Sequence, residues 1–325
     1  MQEIRWGIIG CGNVTEVKSG PAFNKVPNSK LIAVMRRDEA LLKDYALRHK
    51  VPYTFTNASD LINHPEVDAV YIATPPGVHE QYVVEALLAK KKVYVEKPMS
   101  TTVAACLRMQ EVSNQVKGKL VIAHYRRALP LFLKVKELLQ QNEIGKLLTV
   151  KINMQKNAAE ASYYNNNWRV NKAAAGGGLF YDLAPHQLDL VIYFFGEAFN
   201  YSGIATNKAG LYDVEDTVTG KMQLQKGIEF AGDWCFAAET EIEKDEFIIQ
   251  GEKGSIQFAV FGQQIVIEKD GQRDIIHFEP PSHIQQPMIE KIVNYFLDKA
   301  PNPCSAAEAI KSMRVMEAFV YGNNL

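Results

Sequence analysis

Along the first 123 residues, short apolar runs alternate with amphipathic stretches. Ile4 to Ile9, Leu31 to Met35, Val67 to Ala73, Lys92 to Val95 and Leu120 to Ala123 are apolar on both faces. Between them, Glu39 to His49 and Glu80 to Ala89 place apolar residues at helical spacing. Strands alternating with helices predict right-handed crossovers and a parallel sheet covered on both sides. The pattern then changes. Ala128 to Gln141 and Leu183 to Phe195 read as helices, and Lys146 to Gln155 as a strand. From Tyr201 to Phe278, short alternating segments dominate: Thr217 to Leu224, Gly227 to Trp234, Asp245 to Gly251, Ser255 to Val260 and Gln264 to Lys269. Gln225-Lys226-Gly227 and Lys269-Asp270-Gly271 read as hairpin turns. Helices over Gln286 to Asp298 and Ser305 to Tyr321 follow. The expected fold class is α/β. A doubly wound parallel sheet fills residues 1–123, and an α+β domain on a mostly antiparallel open sheet fills 124–325.

Composition narrows the function more than the fold. Apolar residues make up 47% and charged residues 22%, which excludes a disordered or fibrous chain. Thirty-six Lys and Arg against thirty-seven Asp and Glu leave a net charge of −1, so there is no electrostatic footprint for nucleic acid or an anionic membrane. The longest apolar run, Leu190 to Phe195, falls far short of the roughly 20 residues a spanning helix needs. The opening Met-Gln-Glu-Ile-Arg-Trp lacks the basic start and apolar core of a secretion signal, so a cytoplasmic location is expected. Cys11, Cys106, Cys235 and Cys304 are scattered and the histidines are dispersed, so no metal site is expected.

The first run ends in Gly10-Cys11-Gly12, giving Gly10-x-Gly12-x-x-Thr15 between a strand and a helix. The first glycine permits a tight turn and the second lets the backbone approach a pyrophosphate. Thr15 stands where a third Gly or Ala is usual, and the residues alone also fit a plain strand-to-helix turn. The second strand ends in Met35-Arg36-Arg37-Asp38, where an acid would otherwise meet the ribose. Two guanidinium forks suit a 2′-phosphate and favour NADP over NAD, although surface arginines closing a strand would look the same.

Two later strand ends read Ile72-Ala73-Thr74-Pro75-Pro76-x-x-His79 and Glu96-Lys97-Pro98, and Gly176-Gly177-Gly178-x-x-x-Asp182-x-x-x-His186 lies downstream. In this order, with the glycine turn, the chain resembles the Gfo/Idh/MocA oxidoreductases over essentially its whole length. The resemblance implies an N-terminal Rossmann domain and a C-terminal domain for substrate binding and oligomerisation. It implies catalytic roles for Lys97, Asp182 and His186. It places Gly10, Gly12, Asn13, Val14, Arg36, Arg37, Thr74, Pro75, His79, Glu96 and Lys97 against the cofactor. Relatives often carry Asn where this chain has Pro76, which removes one side-chain hydrogen bond.

Elementary chemistry supports these roles. Moving a hydride to or from a hydroxyl-bearing carbon needs a group that handles the hydroxyl proton. Histidine is the side chain suited to proton transfer near neutral pH, so His186 can take or give that proton, and Asp182 one helical turn earlier shares its face and can orient substrate or tune the imidazole. Pro185 fits if this stretch is a first helical turn. Lys97 would stabilise a developing alkoxide. Asp182 as a helix cap and His186 as an interior histidine is the duller reading. Trp168-Arg169 could wall a sugar pocket or simply pack, and Tyr125 and Arg126 follow the fifth strand at the domain junction as substrate contacts. The stretch Tyr163 to Asn167 has the composition of a covering loop. The activity expected is NAD(P)-dependent oxidation or reduction of a sugar, inositol or related polyol or keto-sugar. A glycosidase using transient oxidation and a non-catalytic dinucleotide-binding regulator are the alternatives. A homodimer or homotetramer through the C-terminal sheet is expected, because one face of that sheet needs cover.

Overall fold

The computed structural model describes residues 3–157, 167–238 and 243–322. By its internal contacts the chain forms two compact units, residues 1–128 with 281–310 and residues 129–280 with 311–325.

The first unit opens with β1 (Ile4–Ile9), α1 (Asn13–Val17), β2 (Ser29–Met35) and α2 (Glu39–His49). Then come β3 (Tyr53–Phe55), α3 (Ala58–Asn63), β4 (Ala69–Ile72), α4 (His79–Leu88), β5 (Lys92–Val95), α5 (Val103–Gln115) and β6 (Leu120–Ile122). All six strands are parallel, in the order β3-β2-β1-β4-β5-β6. The order reverses between β1 and β4, so a crevice opens beyond the carboxyl ends of those strands. Five of these strands follow the apolar runs. The sixth, β3, escapes the pattern because Tyr53-Thr54-Phe55 is only three residues long and half exposed at the sheet edge.

The second unit begins with α6 (Pro130–Gln140), β7 (Leu147–Asn157) and the short α7 (Lys172–Ala175), then the 17-residue α8 (Leu179–Phe195). Seven strands follow: β8 (Ala198–Thr206), β9 (Thr217–Leu224), β10 (Glu229–Ala238), β11 (Lys244–Gly251), β12 (Gly254–Phe258), β13 (Gln264–Lys269) and β14 (Gln272–His277). They join β7 in an eight-stranded sheet, antiparallel except where β10 runs parallel to β7. α8 is apolar around most of its circumference, as a helix buried against a sheet must be. Its Phe180 meets Trp234 edge-on at 5.1 Å, and Gln187 Oε1 accepts from the Trp234 indole at 2.6 Å.

The chain then returns to the first unit with α9 (Gln286–Phe296), and α10 (Ala306–Tyr321) ends it. The division at 123/124 expected from the sequence leaves no place for this return. Residues 281–310 pack with the first unit because the Phe296 ring lies tilted against Trp6 with centroids 5.5 Å apart, Asp298 pairs with Lys119 at 2.6 Å and Asn302 Nδ2 donates to Leu120 O.

Candidate active site

In the first unit, the carboxyl ends of β1, β2, β4 and β5 hold most of the residues singled out from the sequence. The glycine turn is pinned to β2: Gly10 N and Cys11 N both donate to Met35 O, at 3.0 and 3.3 Å. Gly10 has φ +90, and a Cβ there would stand 2.9 Å from Thr74 Cγ2 and 3.0 Å from Ala73 O. Only glycine lets β1 end this close to β4. A Cβ on Gly12 would meet nothing within 4 Å, so the backbone there faces open space. Burial pushes the Cys11 thiol up to about 11.

Thr15 is completely buried, its hydroxyl donating to Gly12 O at 2.8 Å and its carbonyl accepting from Tyr45 at 3.0 Å. The departure from the fingerprint is therefore accommodated within the turn itself. Arg36 Nη1 donates to Cys11 O at 3.0 Å, which lays the guanidinium against the glycine turn, while Arg37 is exposed. Asp38, which follows the two arginines, is the N-cap of α2 and accepts from Leu41 N at 3.0 Å. Pro76 opens a short 3-10 turn that leads into α4, a position where its missing N–H costs nothing.

Two of the residues expected at the cofactor, His79 and Glu96, are buried and bonded to the protein's own groups. His79 is fully buried, with Nε2 2.8 Å from Thr74 O and Nδ1 3.1 Å from Pro98 O. It bridges the turn after β4 to the turn after β5, and burial pushes its imidazole down to about 4. Glu96 is 7% exposed, and its Oε1 accepts from Tyr71 at 2.5 Å and from Gln285 Nε2 at 2.6 Å. Both side chains are spent on the protein's own groups, so they shape the Thr74–Pro75 and Lys97–Pro98 turns. The Lys97–Pro98 peptide is cis, and Lys97 itself is half-buried. Thr74 Oγ1 is buried without a hydrogen-bond partner among the described residues. Tyr125 and Arg126 form a buried 3-10 turn at the end of this unit's first segment, with the guanidinium 5.5 Å from the phenol ring centre.

In the second unit, Trp168, Arg169 and Asp182 form one cluster. Arg169 Nε lies 2.8 Å from Asp182 Oδ2, and its guanidinium sits 4.7 Å from the Trp168 ring centre. His186, one turn along α8, is 4% exposed and meets Phe261 edge-on at 5.7 Å. Pro185 is not in the first turn as expected. α8 starts four residues before the expected Leu183, so Pro185 lies inside it and removes the amide that would donate to Tyr181 O. Of the stretch Tyr163 to Asn167, only Asn167 falls within the described residues. Its Oδ1 accepts from Arg169 N at 3.1 Å and caps the turn that presents Trp168 and Arg169.

Residues 4–124 match the family described as "Oxidoreductase family, NAD-binding Rossmann fold", and residues 132–257 match the "GFO/IDH/MocA C-terminal domain". The chain belongs to the Gfo/Idh/MocA oxidoreductases. It is 44% identical over 320 residues to Oxidoreductase P35 of Formosa agariphila, across 97% of this chain and 98% of that protein. It is 30% identical over 195 residues to inositol 2-dehydrogenase of Acidothermus cellulolyticus, across 60% of this chain and 54% of that protein. The crystal structure of aldose-aldose oxidoreductase from Caulobacter crescentus, complexed with glycerol, has the same fold. Its TM-score is 0.86 at 22% identity, covering 98% of this chain and 96% of that one.

Two residues of this Gfo/Idh/MocA oxidoreductase carried no signal in the sequence. Glu215 Oε1 accepts from Gly178 N at 2.7 Å and caps α8, the helix that bears Asp182 and His186. A Cβ on Gly178 would lie 2.2 Å from Glu215 O, so the glycine run serves this close approach. Gln285 completes the buried group around Glu96 from 189 residues away. Neither lies in a spacing that a motif could register.

Proposed function

We propose that this oxidoreductase transfers a hydride between a nicotinamide cofactor, NADP in preference to NAD, and a carbon of a sugar, inositol or related polyol or keto-sugar. The observation that carries it is in the first unit. Three adjacent strands, β1, β4 and β5, end in the glycine turn, the Thr74–Pro75 turn and Lys97, on the side of the sheet where its order reverses.

The open backbone at Gly12 and the orphaned Thr74 hydroxyl fit a dinucleotide, with Gly10, Asn13, Val14 and Pro75 as its other neighbours. When bound, the nicotinamide donates or accepts the hydride. Arg36, braced on the Cys11 carbonyl, and the exposed Arg37 offer forked donors to a 2′-phosphate. Lys97 holds negative charge on the reacting oxygen, and His186 takes or returns its proton. Asp182, tied to Arg169, orients the substrate's hydroxyls together with Trp168, Tyr125 and Arg126. A second copy of the chain covers the outer face of the eight-stranded sheet.

The test is a titration of the purified protein with NADPH and NADH, followed by nicotinamide fluorescence, and then turnover on a panel of keto-sugars and polyols. Tighter NADPH binding and release of oxidised cofactor with a keto-sugar are expected. No binding of either nucleotide would overturn the reading.

A further inference from the structure

Residues 282–286 do two things at once within the first unit. First, they close α1. A helix leaves its last carbonyls without intrahelical partners. Here His283 Nδ1 lies 2.6 Å from Val17 O, and Gln285 N donates to Lys18 O at 3.1 Å. A carbonyl only accepts, so Nδ1 of His283 carries the proton. These two bonds hold the short helix that follows the glycine turn.

Second, the Gln285 side chain enters the group beneath Lys97. Its Nε2 donates to Glu96 Oε1 at 2.6 Å, and its Oε1 accepts from Tyr94 at 2.8 Å. Tyr71 donates to the same Glu96 oxygen, and its ring stacks on Tyr94 with centroids 4.9 Å apart. Burial, with the charge of Glu96 adding to it, pushes both phenols well above their ordinary range, so they remain donors. That fixes the amide: nitrogen towards the carboxyl group, oxygen towards Tyr94. Glu96 Oε2 meanwhile accepts from the main-chain N–H of Lys97 at 3.2 Å. Gln285 is 1% exposed, and its Nε2 also donates to the Tyr71 hydroxyl at 3.4 Å, so its side-chain amide is satisfied within this buried group.

We infer that Gln285 is a positioning residue for Lys97, acting through Glu96, and that residues 282–286 hold the lysine turn and the glycine turn in one frame. The functional part of this inference rests on the proposed role of Lys97.

The experiment reads the turn directly in the cofactor-free protein, as the rate at which an amine-acylating reagent labels Lys97, scored by peptide mass spectrometry against the other lysines. Gln285→Met keeps the volume but loses the side-chain hydrogen bonds to Glu96, Tyr94 and Tyr71, and it should speed Lys97 labelling roughly threefold. Glu96→Gln should have a similar effect, and the double variant should add nothing, since residues acting through one contact are non-additive. Tyr94→Phe, the mildest change, should give about a twofold increase and decides the matter if Gln285→Met does not fold.

The main-chain bond to Lys18 survives substitution of the side chain. NADPH affinity in Gln285→Met should therefore stay within about twofold of the parent, while kcat falls. His283→Ala should show the opposite split, with weaker NADPH binding and unchanged Lys97 labelling. Unchanged labelling in both Gln285→Met and Tyr94→Phe, or additive effects of the Gln285 and Glu96 changes, would overturn the inference. So would a common loss of both readouts in every variant. A parent protein that binds no nicotinamide would instead remove the functional reading and leave the labelling result standing.

Discussion

If Lys97 holds charge on the reacting oxygen as proposed, replacing it by alanine removes that cation while the glycine turn keeps its own bonds to β2. Turnover should fall by about two to four orders of magnitude, while NADPH binding, measured by fluorescence, should stay within roughly threefold of the parent. Full turnover in that variant would exclude Lys97 from the chemistry. Arg36→Ala combined with Arg37→Ala tests the cofactor choice: NADPH affinity should drop about tenfold or more, and NADH affinity should change little. At this scale, legibility followed chain distance. The places of Gly10 and Lys97 at strand ends could be read because both lie in short motifs. That His79 would bond the Pro98 and Met99 carbonyls of another turn, besides Thr74 O in its own motif, was not legible. Gln285 was invisible because its partner Tyr94 stands 191 residues away and no local pattern marks a lone glutamine.

α8 shows what elements reveal and conceal. Its apolar run was legible, but its start was not, because the capping group comes from Glu215 on a distant segment. The helix N-terminus favours a charge on that carboxyl group, yet desolvation outweighs it and raises the Glu215 pKa above its ordinary value near 4.5. An acid with a raised folded pKa supports the fold fully below that ordinary value, and the support is lost as pH rises through the folded pKa. Glu215→Gln keeps an oxygen for Gly178 without the buried charge. Its melting temperature should exceed the parent's by about 2–4 °C at pH 8, with the gap closing towards pH 4. A gap that ignores pH would contradict this account.

For the whole molecule, alternation along β9 to β13 made the second sheet legible, with one outer face in need of cover, while β8 and β14 were not picked out as separate strands. That outer face holds a groove of about 730 Å³. Lys151 and Lys221 line it together with Asp233 and Glu246, and Ile204 stands beside them at 69% exposure. Charges of both signs around an apolar residue suit a twofold partner that presents the same patch in return. Ile204→Asp should convert a dimer or tetramer to smaller species by light scattering, and an unchanged mass would remove this face as the interface. The discontinuity of the first unit was not legible. Gln286 to Asp298 reads as an ordinary amphipathic helix, and nothing in its periodicity names the sheet it packs on.

That discontinuity sets an order of events during synthesis. The glycine turn and Lys97 leave the ribosome early, but their shared tie at Gln285 and the Phe296 ring that packs against Trp6 come only after residues 129–280 have been made. Until then the emerging chain carries a sheet with an uncovered aromatic patch and an uncapped α1, the kind of exposed surface that chaperones bind. The nascent chain therefore lacks the bonds through Gln285 that tie α1 to the lysine turn until the second unit has been translated.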